Sequence, residues 1–296
     1  MKPAVSIIVP SYNHERYISL LIESIYAQSF KDFELVVVDD GSKDGSVQLL
    51  RQLSEIHGFR LISKENEGIC KTINRGLRES TGNYVLIIGS DDILPLNRLK
   101  EQVEYLRSHP EVDVIAGSVI QIDMEGKEVG KNTPRILGAV SFEQMLMVNR
   151  VSAATCMIRR SVYTRWGMYK EDHVFEDYYM WLNVLYHGGK IVNLPNVFAY
   201  YRISNPNLEK KFNWYYKGVM QAFDEFKNDS RVEKARSRYA LIYAIKLSLL
   251  LGSKFFENYS NVHLRLNAFG KLIVSIVAFN PEGIRNFVLK LLKLKT

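Results

Sequence analysis

Short runs of β-branched and apolar residues alternate with amphipathic helical segments through the first half of the chain. Strands are predicted at 5–10, 34–40, 59–64, 84–90 and 113–123, and helices at about 14–28, 46–56, 68–80 and up to residue 108. Strands this short and this apolar are typical of a parallel sheet that helices cover on both faces. Right-handed crossovers between them then give a Rossmann-like α/β sheet.

The alternation becomes less regular after residue 126. Ser141 and Gln144 predict a capping box for a short helix that ends near residue 149. Further strands are predicted at 152–160, 190–195 and 198–204, and a further helix at 175–186. Only helical patterns follow residue 208. We therefore predict an α/β domain over residues 1–206 and a helical C-terminal region over residues 207–296.

Composition and charge narrow the classes of function. The 296 residues are 47% hydrophobic, enough for a sizeable core, and carry a net charge of +7. This basic excess suits an anionic partner, which can be a nucleoside diphosphate, an anionic lipid or a nucleic acid. The two cysteines, Cys70 and Cys156, form no CxxC pair, which favours a reducing cytosol. We find no pattern of a signal peptide and no stretch of the ~20 apolar residues that a membrane span needs.

Polar side chains follow four consecutive predicted strands. These strand ends are Pro10-Ser11-Tyr12-Asn13, Asp39-Asp40-Gly41-Ser42, Lys64-Glu65-Asn66-Glu67-Gly68 and Ser90-Asp91-Asp92. Ligands of open α/β sheets bind beyond the carboxyl ends of the strands, so these groups are expected to meet at one edge. One acidic strand end is ordinary turn or cap chemistry, whereas four converging ends indicate a binding site.

The motifs limit what this edge can bind. No GxGxxG follows the first strand, and no GxxxxGK[ST] occurs in the chain. Paired acids repel a bare phosphate. They fit a site in which one acid accepts hydrogen bonds from a base or ribose and another holds Mn²⁺ or Mg²⁺. The sequence therefore predicts a nucleoside-diphosphate site with a divalent cation as cofactor.

Several blocks of the sequence resemble family 2 glycosyltransferases of the GT-A fold. The resemblance covers about residues 4–204 and is carried by SYN at 11–13, VVDDGS at 37–42, NEGICKTINRGL at 66–77, GNYVLIIGSDD at 82–92 and EDYYMWL at 176–182. It implies an inverting glycosyltransferase of the hexosyltransferase type. Such an enzyme moves a sugar from a nucleotide-sugar donor, a UDP-sugar in the first instance, to an acceptor hydroxyl. A glycan or lipid-linked acceptor in bacterial surface polysaccharide or glycolipid synthesis fits this family.

The resemblance also implies roles on the nucleoside side of the site. Pro10, Ser11 and Tyr12 are expected to line the base pocket. Asp39 is expected to form a hydrogen bond with the base, and Asp40 to stabilise the turn that follows. Simple packing is the alternative role for Tyr12.

The cation and diphosphate positions depart from the family pattern. The first acid of the metal-binding DxD motif is replaced by Gly89, so Asp91 is the expected metal ligand and Asp92 a supporting group. The family often places an arginine where Ile73 stands, and Lys71 is the candidate to contact the diphosphate instead. A solvated helix residue is the alternative role for Lys71.

The resemblance assigns the catalytic base to Asp177, which would take the proton of the acceptor hydroxyl. Glu176 is expected to orient the acceptor or the loop. The alternative is that both acids only favour the N-terminus of a helix. His14 is expected to be a solvated turn residue with no catalytic role.

The last segment, residues 283–295, predicts a basic amphipathic helix. Two interpretations stay open: the helix lies on an anionic membrane surface, or it packs on the core of the tail. We expect a cytoplasmic protein, with peripheral attachment to the inner membrane face under the first of these interpretations.

Three other functions compete with sugar transfer. A sugar-nucleotide-binding or scaffolding protein with weakened catalysis would explain Gly89, although Asp91 and Asp177 argue against it. A nucleotidyltransferase shares the sheet and the metal but not the SYN and VVDDGS blocks. Nucleic-acid binding would need a contiguous basic face, and the acidic strand ends argue against a nucleic-acid partner.

Overall fold

A computed structural model describes residues 2–174, 176–203 and 208–251, together with residues 271 and 274. The chain divides into two compact units, Met1–Ser204 and Asn205–Thr296. The break lies close to the boundary near residue 206 that the sequence predicts. The helical nature of the whole region 207–296 stays a prediction, because much of it is outside the described residues.

The first half of unit one alternates strands and helices, as the sequence predicts. Its elements are β1 (Val5–Ser11), α1 (Ile18–Tyr26), β2 (Phe33–Asp39), α2 (Ser46–His57), β3 (Arg60–Ser63), α3 (Ile69–Arg78), β4 (Tyr84–Ile87), α4 (Arg98–Ser108) and β5 (Val114–Ile122). Helix α1 shows why the pattern works: Ile18, Leu21, Ile22 and Ile25 repeat at helical spacing and are all buried. Burying each such side chain contributes about 1.5 to 3 kcal/mol.

The second half of unit one is less regular. Its elements are β6 (Glu128–Asn132), β7 (Gly138–Val140), α5 (Phe142–Met147), a 3₁₀ turn (Ala153–Thr155), β8 (Met157–Arg159), α6 (Ser161–Trp166), α7 (Asp177–Tyr186) and β9 (Ile191–Arg202). The predicted capping box is confirmed: the Gln144 amide N–H donates to Ser141 Oγ at 3.2 Å, and the Ser141 N–H donates to Gln144 Oε1 at 2.9 Å.

Two predicted strands, at 190–195 and 198–204, form the single strand β9. Its pairing with β5 shifts register twice, between Ala116 and Val119, which accommodates the Pro195-Asn196 interruption without ending the strand. Strands β6 and β7 and helix α6 are not predicted by the sequence pattern. Strand β6 is exposed along its whole length, so it lacks the apolar alternation from which strands are recognised.

One sheet of nine strands forms the centre of the unit, in the order β3-β2-β1-β4-β8-β5-β9-β7, with β6 paired to β5. Strands β1 to β4 run parallel to one another, but β8 runs antiparallel to both β4 and β5. The sheet is therefore mixed, where the local pattern predicts a parallel one. Within it, Ser11 pairs with Asp39 and Asp39 with Ser63, so the carboxyl ends of β1, β2 and β3 lie at one edge.

The described part of the second unit holds helices α8 (Leu208–Asp224) and α9 (Ser230–Leu251). They pack together through stacked Tyr216 and Tyr243 rings, with centroids 4.0 Å apart, and through an ion pair of 2.8 Å between Arg236 and Asp224. The predicted basic helix at 283–295 lies outside the described residues. Among the helices that are described, none combines the length and the apolarity required to cross a lipid bilayer.

Candidate active site

The loops that follow β1 and β2 are held together by reciprocal hydrogen bonds. Asn13, at a left-handed φ of 54°, donates its backbone N–H to Ser42 Oγ at 2.9 Å. The Lys43 N–H returns a bond of 2.7 Å to Asn13 Oδ1. Glu15 Oε2 accepts the Gly45 N–H at 2.9 Å. The two strand ends therefore present a preorganised surface, on which Tyr12 is 44% exposed.

Asp39 is fully buried at the end of β2 and supports the turn after it. Its Oδ1 accepts the N–H groups of Gly41 and Ser42 at 3.1 and 2.9 Å, and its Oδ2 accepts the Ser42 hydroxyl at 2.5 Å. Gly41 has a φ of +75°, and a Cβ on it would lie 2.8 Å from Asn66 N, so the turn requires glycine. The turn-stabilising role that the resemblance gives to Asp40 thus belongs to Asp39.

Asp40 instead anchors the segment that leads into α3. It accepts hydrogen bonds from Lys64 Nζ, from the Glu67 N–H at 2.9 Å and from the Gly68 N–H at 3.0 Å. Burial works to raise the pKa of Asp40, but these bonds, led by that from Lys64, lower it below its usual value. Lys71, the candidate diphosphate contact, lies on α3 with a half-exposed side chain, 3.5 Å from the Glu67 carboxylate.

At the end of β4, Asp91 and His14 lie side by side. His14 Nδ1 is 2.6 Å from Ser90 Oγ and 3.9 Å from Asp91 Oδ1, and the ring and the carboxylate are each about one-third exposed. The Asp91 carboxylate leans over Gly89: a Cβ on Gly89 would lie 2.9 Å from Asp91 Oδ1. Asp91 therefore lies over Gly89, the position of the first acid in the family's DxD motif, and the His14 imidazole lies beside it.

Arg202 holds this strand end in place. Its Nε donates to the Asp91 carbonyl at 2.9 Å, its Nη1 to the Asp123 carbonyl at 2.6 Å, and its backbone N–H to Asp92 Oδ1 at 3.0 Å. The guanidinium stacks on Tyr17, 4.4 Å from the ring centroid. Asp92 itself is buried, and burial, with the Asp91 charge adding to it, raises its pKa to about 8. Asp92 thus fixes the loop, whereas the more exposed Asp91 is available to a ligand.

The second acidic group stands at the beginning of α7. Burial raises the pKa of Asp177 to about 6. Hydrogen bonds from the Tyr178 N–H and from Asn149 Nδ2, the latter at 3.2 Å, act in the opposite direction and lower this pKa. Burial and the neighbouring Asp177 charge raise the pKa of Glu176 to about 7. A carboxylate with a pKa near neutral is matched to general-base chemistry.

Both acidic groups act electrostatically on one tyrosine. The pKa of Tyr201 is raised to about 12, first by burial and then by the charges of Asp92, Asp91, Asp177 and Glu176. Strand β9, which carries Tyr201, is joined to the loop after β4 by the Ile93–Tyr200 bridge and by the Arg202 N–H on Asp92. The strand-end acids and the acid pair at the start of α7 therefore both lie within electrostatic range of Tyr201.

Three contributors are not foreseen from the sequence: His14, Asn149 and the loop-holding role of Arg202. Their partners Ser90, Asp177 and Asp91 lie 76, 28 and 111 residues away along the chain. No local pattern marks such contacts, although the position of His14 two residues after Tyr12, in a strand-end loop, is a usable signal.

The donor set fits a divalent cation only in part. A carboxylate oxygen suits Mn²⁺ and Mg²⁺, and an imidazole nitrogen suits transition metals. No three His, Cys, Asp or Glu side chains are grouped for a metal ion within the described part of the chain. The remaining ligands would have to come from the phosphates of a bound nucleotide and from water.

This chain matches one protein family and several named glycosyltransferases. The profile of glycosyl transferase family 2 matches residues 6–167. The amylovoran biosynthesis glycosyltransferase AmsE of Erwinia amylovora is 29% identical over 224 residues, which cover 74% of this chain and 84% of AmsE.

Two solved structures share the fold. S. aureus TarS 1–349 in complex with UDP-GlcNAc aligns with a TM-score of 0.62 and 21% identity, over 94% of this chain and 79% of that chain. The mannosyltransferase PcManGT of Pyrobaculum calidifontis, in complex with GDP-Man and Mn²⁺, aligns with a TM-score of 0.61 and 20% identity, over 100% of this chain and 89% of that chain. Their fold is the GT-A fold that the sequence blocks predict.

Proposed function

Since this chain is a glycosyltransferase that belongs to glycosyl transferase family 2, we propose that it moves a sugar from a nucleoside-diphosphate sugar to an acceptor hydroxyl with inversion. The observation that carries the proposal is the pair of acidic groups that the fold places at Asp91, beside His14, and at Glu176 and Asp177, beside Asn149. One group ends a strand beside a preorganised loop pair, as a donor site requires. The other carries an acid with its pKa near neutrality, as a base requires.

The nucleoside side is formed by Pro10, Ser11, Tyr12 and Asp39. The exposed Tyr12 ring offers a face for the base. Asp39 is held by its own turn and is fully buried, so the loops that cover it must open for the base to donate to an oxygen of this carboxylate. The buried Ser11 hydroxyl, next to Asp39 in the sheet register, has no partner among the described residues and can serve the same ligand.

The chemical step is a single in-line displacement. The acceptor oxygen attacks the anomeric carbon and forms the new glycosidic bond, while the bond from that carbon to the phosphate oxygen breaks. The nucleoside diphosphate leaves with the electron pair, and the hydroxyl proton passes to Asp177. Glu176, beside Asp177, orients the acceptor. Lys71 can turn from Glu67 toward the diphosphate, since its side chain is half-exposed.

Asp91 and His14 are the residues that would hold a divalent cation, with Asp92 supporting the loop beneath them. A cation bound there supplies positive charge for the leaving diphosphate. The solved mannosyltransferase structure with GDP-Man and Mn²⁺ supports a cation in this fold. Because an imidazole favours transition metals, the pair makes Mn²⁺ the better choice than Mg²⁺.

The acceptor is inferred from similar proteins alone. The name of AmsE, an amylovoran biosynthesis glycosyltransferase, supports a polysaccharide product, and TarS with UDP-GlcNAc supports a UDP-sugar donor. The acceptor is then a glycan or a lipid-linked glycan. We place the enzyme in the cytoplasm, with its basic segment 283–295 against the inner membrane face.

Donor cleavage tests this function. Purified protein is incubated with a panel of UDP-, GDP- and TDP-sugars and Mn²⁺, and the release of nucleoside diphosphate is measured with and without EDTA. We expect release from one class of donor, lost in EDTA. Absence of both release and calorimetric donor binding across the panel would contradict the proposal and favour a scaffolding role.

Replacing His14 with Ala is expected to weaken Mn²⁺ binding about tenfold in the presence of UDP, because one of two protein donors is lost. Binding of Mg²⁺ should change much less. Electron paramagnetic resonance of Mn²⁺ measures the affinity, and pulsed spectra show whether a nitrogen is coupled to the ion. His57→Ala is the matched control, since His57 stacks on Tyr26 instead. Equal Mn²⁺ affinity in both variants would remove His14 from the site.

A further inference from the structure

Asn149, in the segment after α5, contacts the proposed base directly. Its Nδ2 donates to Asp177 Oδ2 at 3.2 Å. The orientation of the amide is determined by a second bond, in which the Val151 N–H donates to Asn149 Oδ1 at 3.1 Å. Because the carbonyl side is occupied by a donor, the NH₂ side must face the carboxylate.

The segment that carries Asn149 is itself fixed against α7. The Tyr178 hydroxyl donates to the Met145 carbonyl at 2.9 Å, which ties the end of α5 to the first turn of α7. Phe142 and Tyr186 also pack together, with ring centroids 5.4 Å apart. Asn149 is therefore presented to Asp177 by a supported turn and has only partial exposure.

The described side chains around Asp177 offer its negative charge little stabilisation other than the Asn149 amide. Glu176 stands next to it on α7, and the electrostatic neighbours from other elements are Cys70 on α3, Cys156 before β8 and Tyr201 on β9. Every one of these groups is neutral or negative. Among the described residues, Asn149 is the one whose side chain donates a hydrogen bond to the Asp177 carboxylate. The other donors are backbone N–H groups at the start of α7.

We propose that Asn149 is a positioning residue for the base: its amide fixes the orientation of the Asp177 carboxylate and stabilises the ionised form that accepts the acceptor proton. The inference rests on the proposed function, in which Asp177 is the base. It adds the segment after α5 to the catalytic site. A hydrogen bond to a charged group is worth more than one between neutral groups, and it favours the charged form selectively.

Asn149→Ser tests the contact with little change to the turn. A serine hydroxyl can still accept the Val151 N–H, but it is too short to reach Asp177. We expect the pKa of Asp177 to rise by about 0.5 to 1, which is about three- to tenfold tighter proton binding. Asn149→Asp, nearly isosteric, replaces the donor with a like charge and should raise that pKa further.

The measurement is a carbon-13 NMR titration of the full chain labelled at the aspartate carboxyl carbons, with the Asp177 signal assigned by its loss in Asp177→Asn. Tyr178→Phe is the matched control, because it loosens the link between α5 and α7 without touching the carboxylate. A rise in both Asn149 variants and none in Tyr178→Phe supports the inference. An unchanged pKa, or the same rise in Tyr178→Phe, overturns it. The titration needs no turnover, so failure of Asp177 as the base would show separately, as transfer retained by Asp177→Asn.

Discussion

Replacing Asp91 with Asn is expected to lower Mn²⁺-dependent donor cleavage at least 100-fold, while the nucleotide still binds in EDTA. The amide keeps the size of the side chain but removes its negative charge, and Asp91 is the partly exposed carboxylate after β4. Asp92 cannot take its place, because it is buried and its Oδ1 is bound to the Arg202 N–H. Release of nucleoside diphosphate at fixed Mn²⁺ measures the loss, and calorimetry measures binding of UDP.

The control for this prediction is Glu65→Gln, which removes an exposed acid from the end of β3, a strand that β2 and β1 separate from β4 in the sheet. Its cleavage rate should stay within about twofold of the unchanged protein, since screening makes a distant surface charge weak. A similar loss of cleavage rate in both variants would mean that cleavage depends on the overall negative charge of this edge and not on Asp91 as a specific Mn²⁺ ligand. Unchanged Mn²⁺ dependence in Asp91→Asn would move the cation away from this strand end.

The parts of the fold that can be predicted are those set by local periodicity. Strands β1, β2, β4 and β5 carry buried apolar runs, and each is recognised within a few residues of its bounds. The direction of β8 is not recognised, because pairing between Met157–Arg159 and two strands far away in sequence leaves no local trace. Strand β6 is not predicted either, because it is exposed at every residue and has no apolar face.

The site shows the same division. The rule that ligands bind beyond parallel strand ends is enough to bring Asp39 and Asp91 to one edge from their positions in the chain. Which aspartate of the Asp39-Asp40 pair supports the turn cannot be predicted, since the answer depends on Lys64 and the loop that it enters. Spacing along the chain likewise says nothing of the contact between Asn149 and Asp177.

Replacing Asp177 with Asn is expected to reduce sugar transfer about 1,000-fold and, at the same time, to stabilise the protein above pH 7. Loss of a general base accounts for the first effect, with donor binding retained because Asp177 lies on the acceptor side. The second effect follows from burial, which raises the pKa of Asp177 from its ordinary value of 3.8 to about 6. Transfer assays with an identified acceptor and thermal unfolding at several pH values measure the two effects.

The sign of the stability effect follows from proton linkage. Between about pH 4 and pH 7 the folded chain binds more protons at Glu176 and Asp177 than the unfolded chain does, so the stability of the unchanged protein falls as the pH rises through this window. Asparagine carries no charge to desolvate. We therefore expect Asp177→Asn to gain about 1 kcal/mol at pH 8, discounted for partial exposure, and to show no gain near pH 4.

An acid with the opposite shift provides the control. Burial works to raise the pKa of Glu34, but hydrogen bonds from Thr81, Ser6 and Gly82 outweigh it and lower that pKa. Glu34→Gln should therefore be less stable than the unchanged protein at pH 8, and the difference should shrink as the pH falls through the pKa of Glu34. Functional sites are often less stable than the rest of a protein.

If Asp177→Asn were inactive but less stable at pH 8, its carboxylate would be a structural group. The base would then have to be another residue, and Glu176 would be the next residue to replace.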